Sequence, residues 1–152
     1  MTTSLYLASI TNAIASISIT GVTVKDKDEV VANWTPVPNV LYPNPNGWVS
    51  DISLDYVANL RGATAPLNVS YLLNYRFLGT QSGDLAIFPV ALSNLVDKVI
   101  LIVNAIVATH APYSGKVDME LAGISSPGPL PDPAGNTYFG CDLSFRVTEM
   151  QN

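Results

Sequence analysis

Charge is scarce in this chain: only 12% of its 152 residues are Asp, Glu, Lys or Arg, against 48% hydrophobic residues. A free-standing small domain usually carries roughly a quarter to a third charged residues on its surface, so part of this surface is expected to be covered by another subunit. Basic residues are scarcer still. Lys25, Lys27, Arg61, Arg76, Lys98, Lys116 and Arg146 are scattered without a cluster, and the formal net charge is −5. A nucleic-acid binder needs a basic footprint that displaces phosphate counterions, and this chain has none. The single cysteine, Cys141, cannot make an internal disulfide, so nothing supports an oxidised, stapled scaffold. Its alternating context predicts a buried, reduced thiol.

Groups that carry chemistry are equally sparse. The one histidine, His110, falls at the expected C-terminus of a helix, where an imidazole complements the helix dipole. There is no second histidine, cysteine pair, HExxH motif, nucleophile elbow or phosphate-binding glycine loop. No metal, cofactor or catalytic set is therefore expected, and the chain does not read as an enzyme. Asp118 and Glu120 share a strand face and could serve as paired carboxylates. Their alternation with Val117, Met119 and Leu121 reads first as the wet face of a strand. Asp26-Lys27-Asp28-Glu29 lacks the spaced ligands and the glycine of a calcium loop and reads as a solvated turn. The first twenty residues lack a basic n-region and do not read as a signal peptide.

What is present is hydrophobic periodicity. From Phe88 to His110, Leu92, Leu95, Val96, Val99, Ile102, Val103, Ile106 and Val107 recur at three-and-four spacing, which predicts a long helix. Ile100 and Leu101 lie outside that stripe, so the helix is expected to be covered on more than one side. Asn104 interrupts its apolar run well short of the ~20 residues that cross a bilayer, and the segment reads as a core helix. Leu7, Ile10, Ile14 and Ile17 predict an N-terminal helix capped by Thr3 or Ser4 and leaving at Gly21. Val22 and Val24 predict a short extended piece. Strict alternation predicts strands at 49–58, 69–78, 117–121 and 141–148, the first two and the last two as antiparallel pairs. Tyr71 and Tyr75 share one strand face and read as core packing. The expected architecture is a single α+β domain over residues 1–152, mainly an antiparallel sheet of about four to five strands with an N-terminal and a long central helix.

Two proline-rich stretches interrupt this pattern. Residues 34–48 hold Pro36, Pro38, Pro43 and Pro45 among Trp34, Tyr42 and Trp48, which predicts an arm that is neither helix nor interior strand. Residues 122–137 read as a hairpin loop beyond the usual length, and such loops tend to be functional or disordered. Ile124, Ser125, Pro127, Pro129, Leu130, Pro131 and Asp132 are its candidate contact residues. The loop is the leading candidate for touching neighbouring subunits, and the arm reads equally as a subunit contact or as a loop folded over its own domain.

The order of elements, with the helices LYLASITNAIASI and ALSNLVDKVILIVNAIVATH, the strand VSYLLNYRFLG and the closing pair KVDMELAG and YFGCDLSFRVTE, resembles the tail terminator, or tail-completion, proteins of long-tailed bacteriophages. The resemblance covers nearly the whole chain and rests on element order and texture. It implies a virion structural protein of the tail and neck, assembled in the host cytoplasm as a ring homo-oligomer, commonly a hexamer. Such a ring ends polymerisation of the tail tube and joins tail to head. Its partners would be itself, the tube protein and a head-completion or connector protein; DNA would pass through the lumen without sequence-specific binding, and no membrane is involved. Connector, stopper and other tail proteins share the same texture. A small-molecule-binding α+β domain whose tyrosines line a cavity, and an enzyme with dispersed carboxylates, are the readings from other classes.

Overall fold

The computed structural model describes residues 5–27, 38–58, 64–81, 88–131 and 135–150. Its backbone is a pair of long antiparallel strands, β4 (Thr64–Gln81) and β7 (Thr137–Met150), joined in register from Asn68 opposite Met150 to Leu78 opposite Gly140. Each long strand carries two shorter strands end to end on its outer edge. On β4 these are β3 (Val49–Ala58) and β2 (Val40–Pro43); on β7 they are β5 (Val117–Ile124) and β6 (Gly128–Pro131). A two-residue β1 (Thr23–Val24) adds in parallel to β2, completing a mixed sheet of seven strands.

Alternation divides the sheet into two unlike faces. Val69, Tyr71, Leu73, Tyr75 and Phe77 of β4 share the core with Cys141, Leu143, Phe145 and Val147 of β7 and Val117 and Met119 of β5. Two helices cover this face. In α1 (Leu7–Ala15) the buried side is Ile10, Thr11 and Ile14; in α2 (Phe88–Ala108) it is Ala91, Leu95, Val99, Ile102 and Ile106. The α+β architecture expected from the sequence is therefore the one observed. Gly140 is required where it stands, because the Phe77 carbonyl of the neighbouring strand occupies the space a Cβ would need.

Four expectations are corrected. Residues 40–43 form an interior strand despite the prolines around them, since β2 is paired on both sides; Pro43 ends the strand, where its missing N–H matters least. Residues 122–137 are not one long loop: β5 continues to Ile124, and β6 pairs with β7 through Pro131 opposite Thr137. The long helix is not covered on more than one side by its own chain, for Val90, Val96, Ile100 and Leu101 are exposed. The N-cap of α1 is Tyr6, which makes no side-chain cap; Thr3 and Ser4 lie outside the described residues.

Candidate functional site

Among the described residues the sheet ends in two open edges, and both expose apolar side chains between polar ones. Among the described residues β3 pairs only with β4, and β5 only with β7. Beyond a bulge at Asp51, β3 exposes Ile52 (68%) and Leu54 (46%), while β5 exposes Leu121 (37%) and Ile124 (45%). Unpaired edges of this kind are templates for addition of another chain.

The exposed flank of α2 continues the β5 edge. One side of the helix, with Asn94, Asp97, Lys98 and Leu101, borders a shallow cleft with Asn39 and Thr80 near the start of β2. Lys98 also lies over Gly21, just before β1. The opposite flank, where Leu92, Val96, Ile100, Val103 and Val107 recur at helical spacing, is therefore turned towards β5. By length and composition the stretch Phe88–Tyr113 would pass for a membrane span. Its buried stripe is nevertheless packed on the sheet, in one cluster with β4, β5 and β7 side chains.

The opposite edge carries a receiving shape. Leu7, Ala8, Thr11 and Asn12 of α1 and Trp48 and Val49 at the start of β3 line a cleft of about 320 Å³, with Lys27 beside it. The Lys27 ammonium stands 5.9 Å from the centre of the Trp48 ring, a cation–π distance. Trp48 is edge-on to Tyr75 at 6.4 Å, which holds the indole against the core.

The predicted contact residues divide between buried and free positions. Tyr42 and Pro43 are buried in β2, Tyr42 in a small cluster with Val40, Leu78 and Tyr138, against which Leu130 packs. Pro38, Pro45, Ile124, Ser125, Pro127, Pro129 and Pro131 are exposed, and Trp48 is half-buried. Ser125 is fixed by its amide donating to the Asp142 carbonyl at 2.9 Å, and its hydroxyl accepts from the Asp142 amide at 2.8 Å. Trp34, Pro36 and Asp132 lie outside the described residues.

The residues weighed for chemistry do converge. His110, Asp118 and Glu120 line a cleft of about 340 Å³ together with Met119, Arg146 and Thr148. His110 Nδ1 is engaged with the Val107 carbonyl at the end of α2. No hydrogen bond or ion pair joins His110 to either carboxylate, and no group of three ligating side chains suited to a metal occurs among the described residues. Glu120 stands opposite Arg146 in the sheet, but the ion pair described here joins two other residues, across β4 and β7. Arg76 on β4 grips Asp142 bidentately, Nε to Oδ1 at 2.7 Å and Nη2 to Oδ2 at 3.1 Å. That bond holds the Arg76 guanidinium above its ordinary range.

A further polar group sits on the apolar face. Glu149 is fully buried, accepting the Tyr71 hydroxyl at 2.6 Å on Oε2 and the Tyr6 amide on Oε1. Burial, and then the hydrogen bond and charge of Glu149, push the Tyr71 phenol far above its usual range. The sequence held the signal for this residue: continuing the alternation of Cys141, Leu143, Phe145 and Val147 by one step puts a carboxylate on the core face. The chain matches no protein-family model and no curated protein.

Proposed function

We propose that this protein is a virion structural protein that assembles into a ring, six-membered in keeping with the tail-terminator resemblance, at the head-proximal end of a phage tail. There it would end polymerisation of the tube and join tail to head. The observation that supports this best is the pair of opposite open edges, each with exposed apolar side chains and each different from the other. Two unlike patches on opposite sides of one subunit make heterologous contacts, which close into rings or run on as filaments.

The low charge agrees with this use, because surface buried between subunits need not be solvated. So does the middle of the sheet's other face, whose Ser70, Asn74, Arg76, Asp142, Ser144 and Thr148 are polar beside the buried Tyr42 cluster, with its one described ion pair already closed. Such a surface would let a duplex slide past without holding it. The reading as a cavity-binding domain is disfavoured by Tyr71 and Tyr75, which are packed in the core rather than lining a cavity. Light scattering on the purified chain, followed by negative-stain microscopy, tests the proposal. A discrete ring is expected. A monomer that persists at high concentration, or retention of a small molecule in the His110 cleft, would count against it.

A further inference from the structure

A single transverse row connects the two edges. Val49 of β3 lies opposite Leu73 of β4, Leu73 opposite Phe145 of β7, and Phe145 opposite Leu121 of β5. All four point to the helix-covered face. The row begins at the cleft beside Trp48 and ends at an exposed leucine. At the same height stands the middle of α2. That helix starts beside Phe139, with the Phe88 ring 5.4 Å away, and ends by His110 near Met119. At 1.5 Å per residue against about 3.3 Å along a strand, Ile100 lies about level with Phe145. Ile100, Leu121 and Ile124 thus form an apolar step on one edge, level with the cleft on the other.

Strand direction fits the same match. Across this row the strands run β3, β4, β7, β5, and every neighbouring pair is antiparallel. An alternating set of four ends on strands of opposite sense. A second copy added side by side, in the same orientation, therefore brings its β3 antiparallel to β5 of the first, with helices on the same face.

We propose that the cleft lined by Leu7, Ala8, Thr11, Trp48 and Val49 receives the Leu121 edge of a second copy of this chain, with β3 of one copy adding antiparallel to β5 of the other. The proposal rests on the ring reading above and specifies its interface. The pairing gives partners to the main-chain groups of both edges that are unpaired among the described residues and covers Leu54, Ile100 and Leu121 together. The contact is head-to-tail, so each subunit keeps one free edge until the ring closes.

Cysteine cross-linking tests it directly. Val49→Cys and Leu121→Cys in one chain should form intermolecular disulfides under mild oxidation, giving a ladder of covalent species on a denaturing gel. Mixing the two single variants should give a dimer, and neither alone should do so. The native Cys141 is fully buried and contributes no background. In parallel, Leu121→Glu, at an exposed position that keeps the fold, should reduce the native mass to that of a monomer with an unchanged circular dichroism spectrum. A Leu121→Cys homodimer would mean a two-fold β5 to β5 contact and would overturn the proposal. Rings that persist in Leu121→Glu with no ladder in the double variant would overturn this interface alone, whereas a wild-type monomer at all concentrations would overturn the ring reading with it.

Discussion

The two faces of the β4–β7 pair handle polar groups in opposite ways. On the open face Arg76 and Asp142 form a bidentate ion pair, their side chains 11% and 29% exposed. Asn74 joins Ser50 at 2.9 Å and Ser144 at 2.7 Å, and Ser70 meets Thr148 at 3.3 Å. On the covered face the polar group opposite Tyr71's end of the strand pair is a fully buried carboxylate, held by an O–H and a backbone N–H with no described cation beside it. Where water remains near, charges are paired for geometry at little net gain. Where it is gone, a charge needs directed donors, and removing them is expensive. The covered face is therefore where this fold is vulnerable.

The comparison can be broken most severely at Phe145. Its truncation to Ala is expected to cost about 3–5 kcal/mol, as for other buried aromatics, measured by urea unfolding; a loss below about 1 kcal/mol would mean that the helices do not close over the row. Glu149→Leu should come next. It strands the Tyr71 hydroxyl and the Tyr6 amide together, for about 2–4 kcal/mol, and Tyr71→Phe should cost less because the amide still holds the carboxylate. If Glu149→Leu proved stabilising, the carboxylate would be a burden on the core and not an anchor.

Alkaline pH sharpens the same contrast. Burial pushes the Cys141 thiol up to about 11 from an ordinary 9.0, and it raises the Tyr71 and Tyr75 phenols from 10.0. These groups ionise more readily unfolded than folded, so their contribution is complete below the unfolded values and is lost as pH rises through and beyond them. Stability should start to fall above about pH 9, the unfolded thiol value, and more steeply above 10. Cys141→Ala should flatten the slope between pH 9 and 11; an identical slope would show that the thiol is not the group responsible. The smallest effects belong to the open face. Arg76→Met should cost about 1–3 kcal/mol, since it strands Asp142 in a bidentate pair whose arginine is only 11% exposed, and Ser70→Ala about 0.5 or less, each read from the denaturant midpoint.

Much of the covered face was legible in sequence because its signals are periodic. The alternation along 69–78 and 141–148 defines β4 and β7, and the three-and-four spacing of Leu95, Val99, Ile102 and Ile106 defines the seat of α2. What periodicity could not give was which apolar flank the chain itself would cover: Val96 satisfies the helical pattern as well as Leu95 does, yet faces outward. The proline segments misled for a definite reason. In β6, Pro129 and Pro131 alternate, so their missing N–H groups fall on the same outer side of an edge strand, while Leu130 faces Tyr138. Proline forbids a ladder only where its N–H would be used. The two candidate edges, and the row from Val49 to Leu121, depend on pairing between distant segments and on a bulge at Asp51 that local pattern does not encode.

The carboxylate of Glu149 also sets an order of events. It meets the amide of Tyr6 across 143 residues of chain, and β7, which carries it, pairs with β4 from the middle of the sequence. Contacts this distant slow folding, since loops must close before any reward appears. The segment beside α1 can close that bond only once β7 is made, well after its neighbours Trp48 and Val49.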